Sequence, residues 1–187
     1  VITLGIDEAG RGSWAGPLVV GAAILSHPVE GLKDSKLLTK IQRQKLYKQI
    51  IESSDYGIGW VMPKDIDNLG LTKSTELAIR RALAQIKSHY DEIIIDGSIN
   101  FIKDNPKARA VVKADNLFPA VSAASILAKV SRDEYMYKIS KKYSNYGFEK
   151  HVGYGTSLHK LSIIKHGVCE HHRLSYKPIQ GAISSAN

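Results

Sequence analysis

Hydrophobic positions follow two rhythms along this chain: short runs of strand length, and longer stretches with apolar residues three or four apart. Val1–Asp7 (VITLGID) reads as a short strand ending on two consecutive acids, Asp7 and Glu8. After a Gly-rich turn, Leu18–Leu25 (LVVGAAIL) is a continuous apolar run with β-branched residues, a second strand. Thr39 is placed to cap a helix running to about Ser53, with Ile41, Leu46, Ile50 and Ile51 near one face. Tyr56–Met62 alternates, which predicts a third strand with Ile58, Trp60 and Met62 on one side. Pro63–Leu69 reads as a short helical turn. Residues 72–90 form an amphipathic helix through Ile79, Leu83, Ile86 and Tyr90.

Glu92–Asp96 (EIIID) is a buried strand by its Ile run, and it also ends on an acid. Ala108–Val112 is a shorter apolar strand that stops close to Asp115. Pro119 opens a long helix reaching about Tyr143, whose first half (AVSAASILAKV) is small and apolar, suited to close packing on a sheet. The aromatic, Gly-rich stretch Tyr143–Gly155 marks a boundary, which divides the chain into a core, 1–143, and a small helical C-terminal region, 144–187. In that region a helix from Ser157 to His166 is stopped by Gly167, and the tail Gly181–Asn187 is expected to fray. The pattern is a mixed α/β domain with a helical C-terminal piece.

Composition narrows the class without changing that outline. At 187 residues, 43% hydrophobic and 24% charged, the chain is an ordinary globular domain, so wholesale disorder is excluded. One cysteine, Cys169, excludes a disulfide framework and a multi-cysteine zinc ribbon. No apolar run approaches the ~20 residues that span a bilayer, and no signal-peptide pattern is seen, so a cytoplasmic protein away from membranes is expected. The chain starts on a strand without Met, so a few residues are expected to precede it. The net charge of +8 is unevenly placed. Residues 1–100 hold 12 Lys+Arg and 12 Asp+Glu; residues 101–187 hold 14 and 6. A polyanion lying along the C-terminal part fits that asymmetry, as does a plain solvated basic face.

The acids at strand ends carry the chemistry. Asp7 with Glu8, Asp96 and Asp115 each close a segment that reads as a strand, and strand C-termini converge at one edge of an α/β sheet. Four carboxylates gathered there repel, and a pair of divalent hard cations relieves the repulsion. Two such ions about 4 Å apart activate a water and stabilise the leaving oxygen of a phosphodiester. By spacing alone the alternatives stay open. Asp7-Glu8 also fits a solvated strand end, Asp96 before Gly97 an ordinary turn, and Asp115 a residue preceding a helix. Ser122, Ser125 and Ser131 lack a His or Asp at a nucleophile's spacing and read as small packing residues. Trp14 and Trp60 read as core or rim. The Cys169-Glu170-His171-His172 cluster lacks a second metal-spaced pair.

Around the first acids stands Gly5-Ile6-Asp7-Glu8-Ala9-Gly10-Arg11-Gly12, where two glycines flanking an arginine let the backbone approach a ligand closely. This string resembles the signature of the type 2 ribonuclease H family, ribonuclease HII. The resemblance continues through Asp34-Ser35-Lys36-Leu37-Leu38, Ile95-Asp96-Gly97, Lys113-Ala114-Asp115, the block from Val121 to Asp133, Gly153-Tyr154-Gly155-Thr156 and His172-Arg173. It implies a ribonuclease H-like mixed β-sheet flanked by helices, and an endoribonuclease acting on RNA–DNA hybrids and on DNA duplexes with embedded ribonucleotides. By the same resemblance Asp7, Glu8, Asp96 and Asp115 bind two Mg²⁺ or Mn²⁺ ions. Gly10, Arg11 and Gly12 contact the 2′-hydroxyls at the scissile phosphate, Tyr154 stacks on the deoxyribose after the ribonucleotide, and Lys36 approaches a backbone phosphate. The cut falls 5′ to the ribonucleotide and leaves a 3′-hydroxyl and a 5′-phosphate. A monomer is expected, and no partner such as a sliding clamp is deducible. One departure stands out: the family usually carries Pro-Leu after the second glycine, whereas this chain has Ser13-Trp14, with Trp14 placed to restore rigidity by packing. The type 3 relative carries Thr where this chain has Arg11.

Overall fold

The computed structural model describes residues 1–32 and 38–185. Five strands form one sheet: β1 (Thr3–Ala9), β2 (Leu18–Leu25), β3 (Ser54–Val61), β4 (Glu92–Asp96) and β5 (Ala108–Val111), in the order β3-β2-β1-β4-β5. β1, β2 and β3 run antiparallel as a meander, while β4 and β5 lie parallel to β1. The helices are α1 (Lys40–Ser53), α2 (Pro63–Leu69), α3 (Leu71–Leu83), α4 (Pro119–Ser140), α5 (Phe148–His151), α6 (Ser157–His166) and α7 (Lys177–Ser184). Among the described residues, no helix is long and apolar enough to cross a membrane.

Glycines fix how the layers meet. A β-carbon at Gly5 of β1 or Gly21 of β2 would collide with the α4 backbone at Ala120–Val121 or Ala124. On the other face, Gly57 and Gly59 of β3 leave room for the carbonyls of Ala82 and Ala78 on α3. The sheet is therefore sandwiched between α4, joined by α1, and α3. One core layer packs Leu4, Ile6, Val20, Ile93 and Ile95 with Ala78, Ile79 and Ala82. The other packs Ala23, Leu46 and Ile50 with Ala123, Ile126, Leu127 and Val130. Small residues in the first half of α4 make that approach possible, as its composition predicts.

Local signals explain most element ends. Thr39 caps α1 in a reciprocal box with Gln42, Oγ1 accepting from the Gln42 N–H at 3.3 Å while the Thr39 N–H donates to Gln42 Oε1 at 2.8 Å. Pro119 opens α4 and Gly167 closes α6 at φ 74°. Three expectations are corrected. The helix expected over 72–90 ends at Leu83, because residues 84–90 turn back toward β4 and the Lys87 and Ser88 N–H groups cap the Asp55 carboxylate. β3 ends at Val61, so Met62 leaves the expected alternation to stand at the start of α2, and the buried face is Gly57, Gly59 and Val61, since contact with α3 demands the glycines inward. The tail from Gly181 to Ser184 is helical as the end of α7, held by burial of Ile179 and Ala182 against Ile163.

Gly59→Ala should destabilise the fold by about 3 kcal/mol, as overpacking does against backbone that cannot retreat. Gly12→Ala, whose β-carbon would meet nothing within 4 Å, should change stability by less than about 0.5 kcal/mol. Urea unfolding of both variants checks the contrast.

Candidate active site

β1 and β4 pair in parallel register, Gly5 opposite Ile94 and Ile6 opposite Ile95, so the next position on each strand carries an acid, Asp7 and Asp96. Side chains alternate along a strand. Ile93 and Ile95 pack with the α3 layer while Ile94 packs with Val121 of α4, so Asp7 and Asp96 share the α4 face at the sheet's carboxyl edge. Asp7 is nearly buried and accepts a hydrogen bond from Ser125 of α4. Burial pushes its carboxyl up to about 7, and the neighbouring Glu8 and Asp96 charges push the same way against the Ser125 bond and the Glu8 N–H, which donates to Asp7 Oδ1 at 2.8 Å. Burial and Asp96 also raise Glu8, opposed by Arg11. Three of the four expected acids thus feel one another directly.

Asp115 joins them through the backbone. It lies 3% exposed on the 3₁₀ turn Ala114–Asn116, whose Ala114 N–H donates to Asp96 Oδ1 at 2.7 Å. The fourth acid therefore sits on the turn that orients the third. Among the described residues, no three His, Cys, Asp or Glu side chains stand close enough together to hold a metal ion as they are placed. The donors are hard oxygens, and a carboxyl whose ionisation is opposed by burial and like charge is one that a cation would stabilise; the residues fit a hard divalent ion.

Beside the acids opens a cleft of about 390 Å³, lined by Glu8, Ala9, Arg43, Ser125, Ile126, Lys129 and Tyr154. The loop after β1 forms its neighbour. At Gly10, φ is 88° and a side chain would strike the Arg132 guanidinium. The Arg11 carbonyl accepts from Arg173 Nη1 at 2.9 Å and from the Tyr176 hydroxyl at 2.7 Å. In a trans peptide the N–H points opposite the C=O, so the Gly12 N–H faces away from Arg173, toward the open space where Gly12 is exposed. The Arg11 side chain pairs with Glu8 at 3.8 Å and lies over the Phe101 ring at 5.1 Å.

Tyr154 is 39% exposed on the cleft wall, its ring 5.3 Å from the Arg132 guanidinium. Trp14 packs against Gly155, where a β-carbon would collide with its indole, and lies 5.5 Å from the His159 ring. The Trp14 and Ala15 N–H groups both donate to the Gly153 carbonyl, at 2.9 and 3.1 Å. Trp14 thus packs against the Tyr154 segment.

Lys36 lies outside the described residues. Ser125, read above as a packing residue, is corrected: it hydrogen-bonds Asp7 and lines the cleft. Arg43 and Lys129 were not singled out from the sequence either, because a lysine or arginine on a helix carries no mark of the cleft it borders. Arg132 and Arg173 lay inside quoted motifs, but their burial beneath the loop was not readable there.

A five-stranded mixed sheet, helices on both faces and acids at the carboxyl ends of its central strands define a ribonuclease H-like fold. A family model described as Ribonuclease HII matches residues 4–179. A Ribonuclease HII of Polynucleobacter necessarius subsp. necessarius (strain STIR1) is 41% identical over 189 residues, covering 97% of this chain and 95% of that relative. The crystal structure of ribonuclease H2 from Pyrococcus horikoshii OT3 superposes with a TM-score of 0.82 at 29% identity, covering 98% of both chains. Bst-RNase HIII in complex with Mn²⁺ shares the fold, with a TM-score of 0.80 at 21% identity, over 100% of this chain and 70% of that one. The chain belongs to the ribonuclease HII family, and so to the ribonuclease H hydrolases.

Because Asp7 titrates near 7 when folded and near 3.8 when unfolded, its ionised form destabilises the metal-free fold. The penalty is full above about pH 7 and fades as pH falls toward 4. Asp7→Asn should therefore raise stability in EDTA at pH 8 by on the order of 3 kcal/mol, and leave it near wild type at pH 4. Thermal melts at the two pH values check this; an unchanged or lower midpoint at pH 8 would remove the strain assigned to Asp7.

Proposed function

We propose that this protein hydrolyses the RNA strand of RNA–DNA hybrids and nicks DNA duplexes 5′ to embedded ribonucleotides, leaving a 3′-hydroxyl and a 5′-phosphate. The observation that carries the reading is the electrostatic coupling of Asp7, Glu8 and Asp96 beside a cleft that also holds an exposed Tyr154. Asp7, Glu8, Asp96 and Asp115 would hold two Mg²⁺ or Mn²⁺ ions. When bound, such ions activate the attacking water and stabilise the departing oxygen. Ser125 orients the Asp7 carboxylate, and the Ala114 N–H orients that of Asp96. Arg11, paired with Glu8, opposes the burial that raises that carboxyl.

Ribose is distinguished from deoxyribose by one hydroxyl, a donor and an acceptor. The exposed Gly12 peptide, aimed outward by the anchoring of the Arg11 carbonyl, offers backbone to that hydroxyl where a side chain would stand in the way. Tyr154 supplies a flat, rigid surface for the sugar that follows. Lys36 would approach a phosphate, and Lys129 and Arg43 bring positive charge to the cleft wall. The excess of Lys and Arg after residue 100 suits the duplex backbone. A cytoplasmic monomer serving ribonucleotide removal from DNA and primer removal is the setting this activity implies.

A duplex carrying one ribonucleotide tests the reading: it should be nicked on the 5′ side with Mg²⁺ or Mn²⁺, while an all-DNA control stays intact and EDTA stops the reaction. Equal cleavage of the control, or activity in EDTA, would reject it. Asp115→Asn should lower turnover by at least about 10³-fold with substrate binding largely kept, measured by single-turnover kinetics and fluorescence anisotropy. Tyr154→Ala should reduce cleavage at RNA–DNA junctions about tenfold more than within long hybrids.

A further inference from the structure

Three histidines lie behind Tyr154, none of them on the cleft wall. His172 Nδ1 accepts the Cys169 N–H at 2.9 Å, so the proton of the neutral ring sits on Nε2. That Nε2 faces His159 Nε2 at 3.0 Å. Two ring nitrogens share a hydrogen bond only if one donates and the other accepts, so His159 carries its proton on Nδ1. His159 Nδ1 then donates to the Tyr154 carbonyl at 2.9 Å. One tautomer of each ring satisfies every bond, from the Cys169 N–H through both imidazoles to the Tyr154 C=O. Both rings are buried, and desolvation depresses each to about 4, so both are neutral at working pH.

The third ring, His151, stacks on His159 at 4.4 Å and holds the same segment from its other side. Its Nδ1 accepts the Gly153 N–H at 3.1 Å and its Nε2 donates to the Tyr146 carbonyl at 2.7 Å. The grip is needed, because Val152 at φ 45° and Gly153 at φ 87° are consecutive left-handed residues. For a β-branched valine that conformation is costly and persists only when its surroundings impose it. The ring of Tyr154 projects from the residue immediately after this strained pair.

We propose that His159 and His172 are positioning residues, a two-imidazole relay that fixes the Tyr154 peptide and thereby sets where its ring stands in the cleft, so that selectivity for RNA–DNA junctions depends on two residues that do not line the cleft. The proposal rests on the stacking role given to Tyr154 above.

Two variants of one residue separate the relay from mere packing. His172→Gln keeps a donor at the Nε2 position toward His159 and gives up the bond to Cys169. His172→Asn keeps an acceptor for Cys169 and cannot reach His159. The readout is the ratio of junction cleavage to long-hybrid cleavage, with Tyr154→Ala alongside and thermal melts locating each variant's folded range. The expected result is a ratio reduced about tenfold in His172→Asn, matching Tyr154→Ala, and near wild type in His172→Gln. A double variant, His172→Asn with Tyr154→Ala, should lose no more than either single one. A wild-type ratio in His172→Asn while Tyr154→Ala loses it would overturn the relay and leave the Tyr154 role standing. An unchanged ratio in Tyr154→Ala would overturn the stacking role and the relay with it. Should His172→Asn not fold at assay temperature, His159→Phe breaks the relay from the other ring. The carbonyl ¹³C shift of Tyr154 reads the same displacement without turnover; an unmoved shift in a folded relay variant counts against the proposal.

Discussion

Two buried guanidinium groups hold this site together, and all their bonds but one, from Arg173 to the Tyr176 hydroxyl, go to backbone carbonyls. Arg132 of α4 donates to Pro17, Ala15 and Val152, at 2.8, 2.9 and 2.8 Å. Arg173 donates to Gly16 through two nitrogens, at 3.1 and 2.9 Å, and to Arg11. A charge this deep is tolerable only if its donors are filled, and carbonyl dipoles converging on a planar fork do that. Burial lowers both, Arg132 to about 10, which still leaves it charged at neutral pH. Lysine could not replace Arg132, since one ammonium cannot span three separate carbonyls, nor Arg173, whose fork grips Gly16 through two nitrogens while a third reaches Arg11. The loop from Arg11 to Pro17 thus turns its oxygens inward onto cations, and at Gly12 the peptide N–H is turned outward as a consequence.

Helix α4 brings that anchoring and the acids into one frame. Ser125, Lys129 and Arg132 fall at positions i, i+4 and i+7, one stripe of the helix. The first meets Asp7, the second borders the cleft, and the third holds the loop. Met136, one turn on, packs beneath Gly16. Because Gly5 and Gly21 let the same helix lie directly on β1 and β2, the distance from strand-end acid to loop is set by backbone-to-backbone contact. Such contact has little slack, as close-packed interiors do.

How much of this was legible in the sequence depended on range. The strands announced themselves through Ile and Val runs, and their terminal acids through simple adjacency. Thr39, Pro119 and Gly167 marked helix ends by local chemistry. What failed was decided elsewhere in the chain. The alternation Ile58, Trp60, Met62 did not show which face of β3 is buried, because that is decided by the glycines that α3 needs. The helix after Leu71 stopped early because Asp55, distant in sequence, captures the amides at 87 and 88. α7 was missed because its stabilising partner, Ile163, belongs to the previous helix and its own composition is poor in helix formers. Ser125 looked like packing because nothing local shows that Asp7 lies opposite it. Glu8 and Tyr154, both quoted in motifs, line the cleft and Asp7 lies next to Glu8, while the arginines beneath them needed the fold.

The separation of charge follows from the same constraint. Four carboxylates and two buried arginines in one small site would, if paired, cancel one another and leave nothing for a cation or a phosphate. Here Arg132 and Arg173 are held by carbonyls and the Tyr176 hydroxyl, so no buried arginine offsets the burial and, after it, the mutual repulsion that raise Asp7 and Glu8. Arg11 bridges the two sets, reaching Glu8 from a loop whose own carbonyl is bound by Arg173. Moving a carboxylate partner next to Arg132 would relieve its burial, yet it would also release the carbonyls of Ala15, Pro17 and Val152 and with them the loop. Stability taken from the site's unpaired charges would thus be lost again from the geometry that makes them useful.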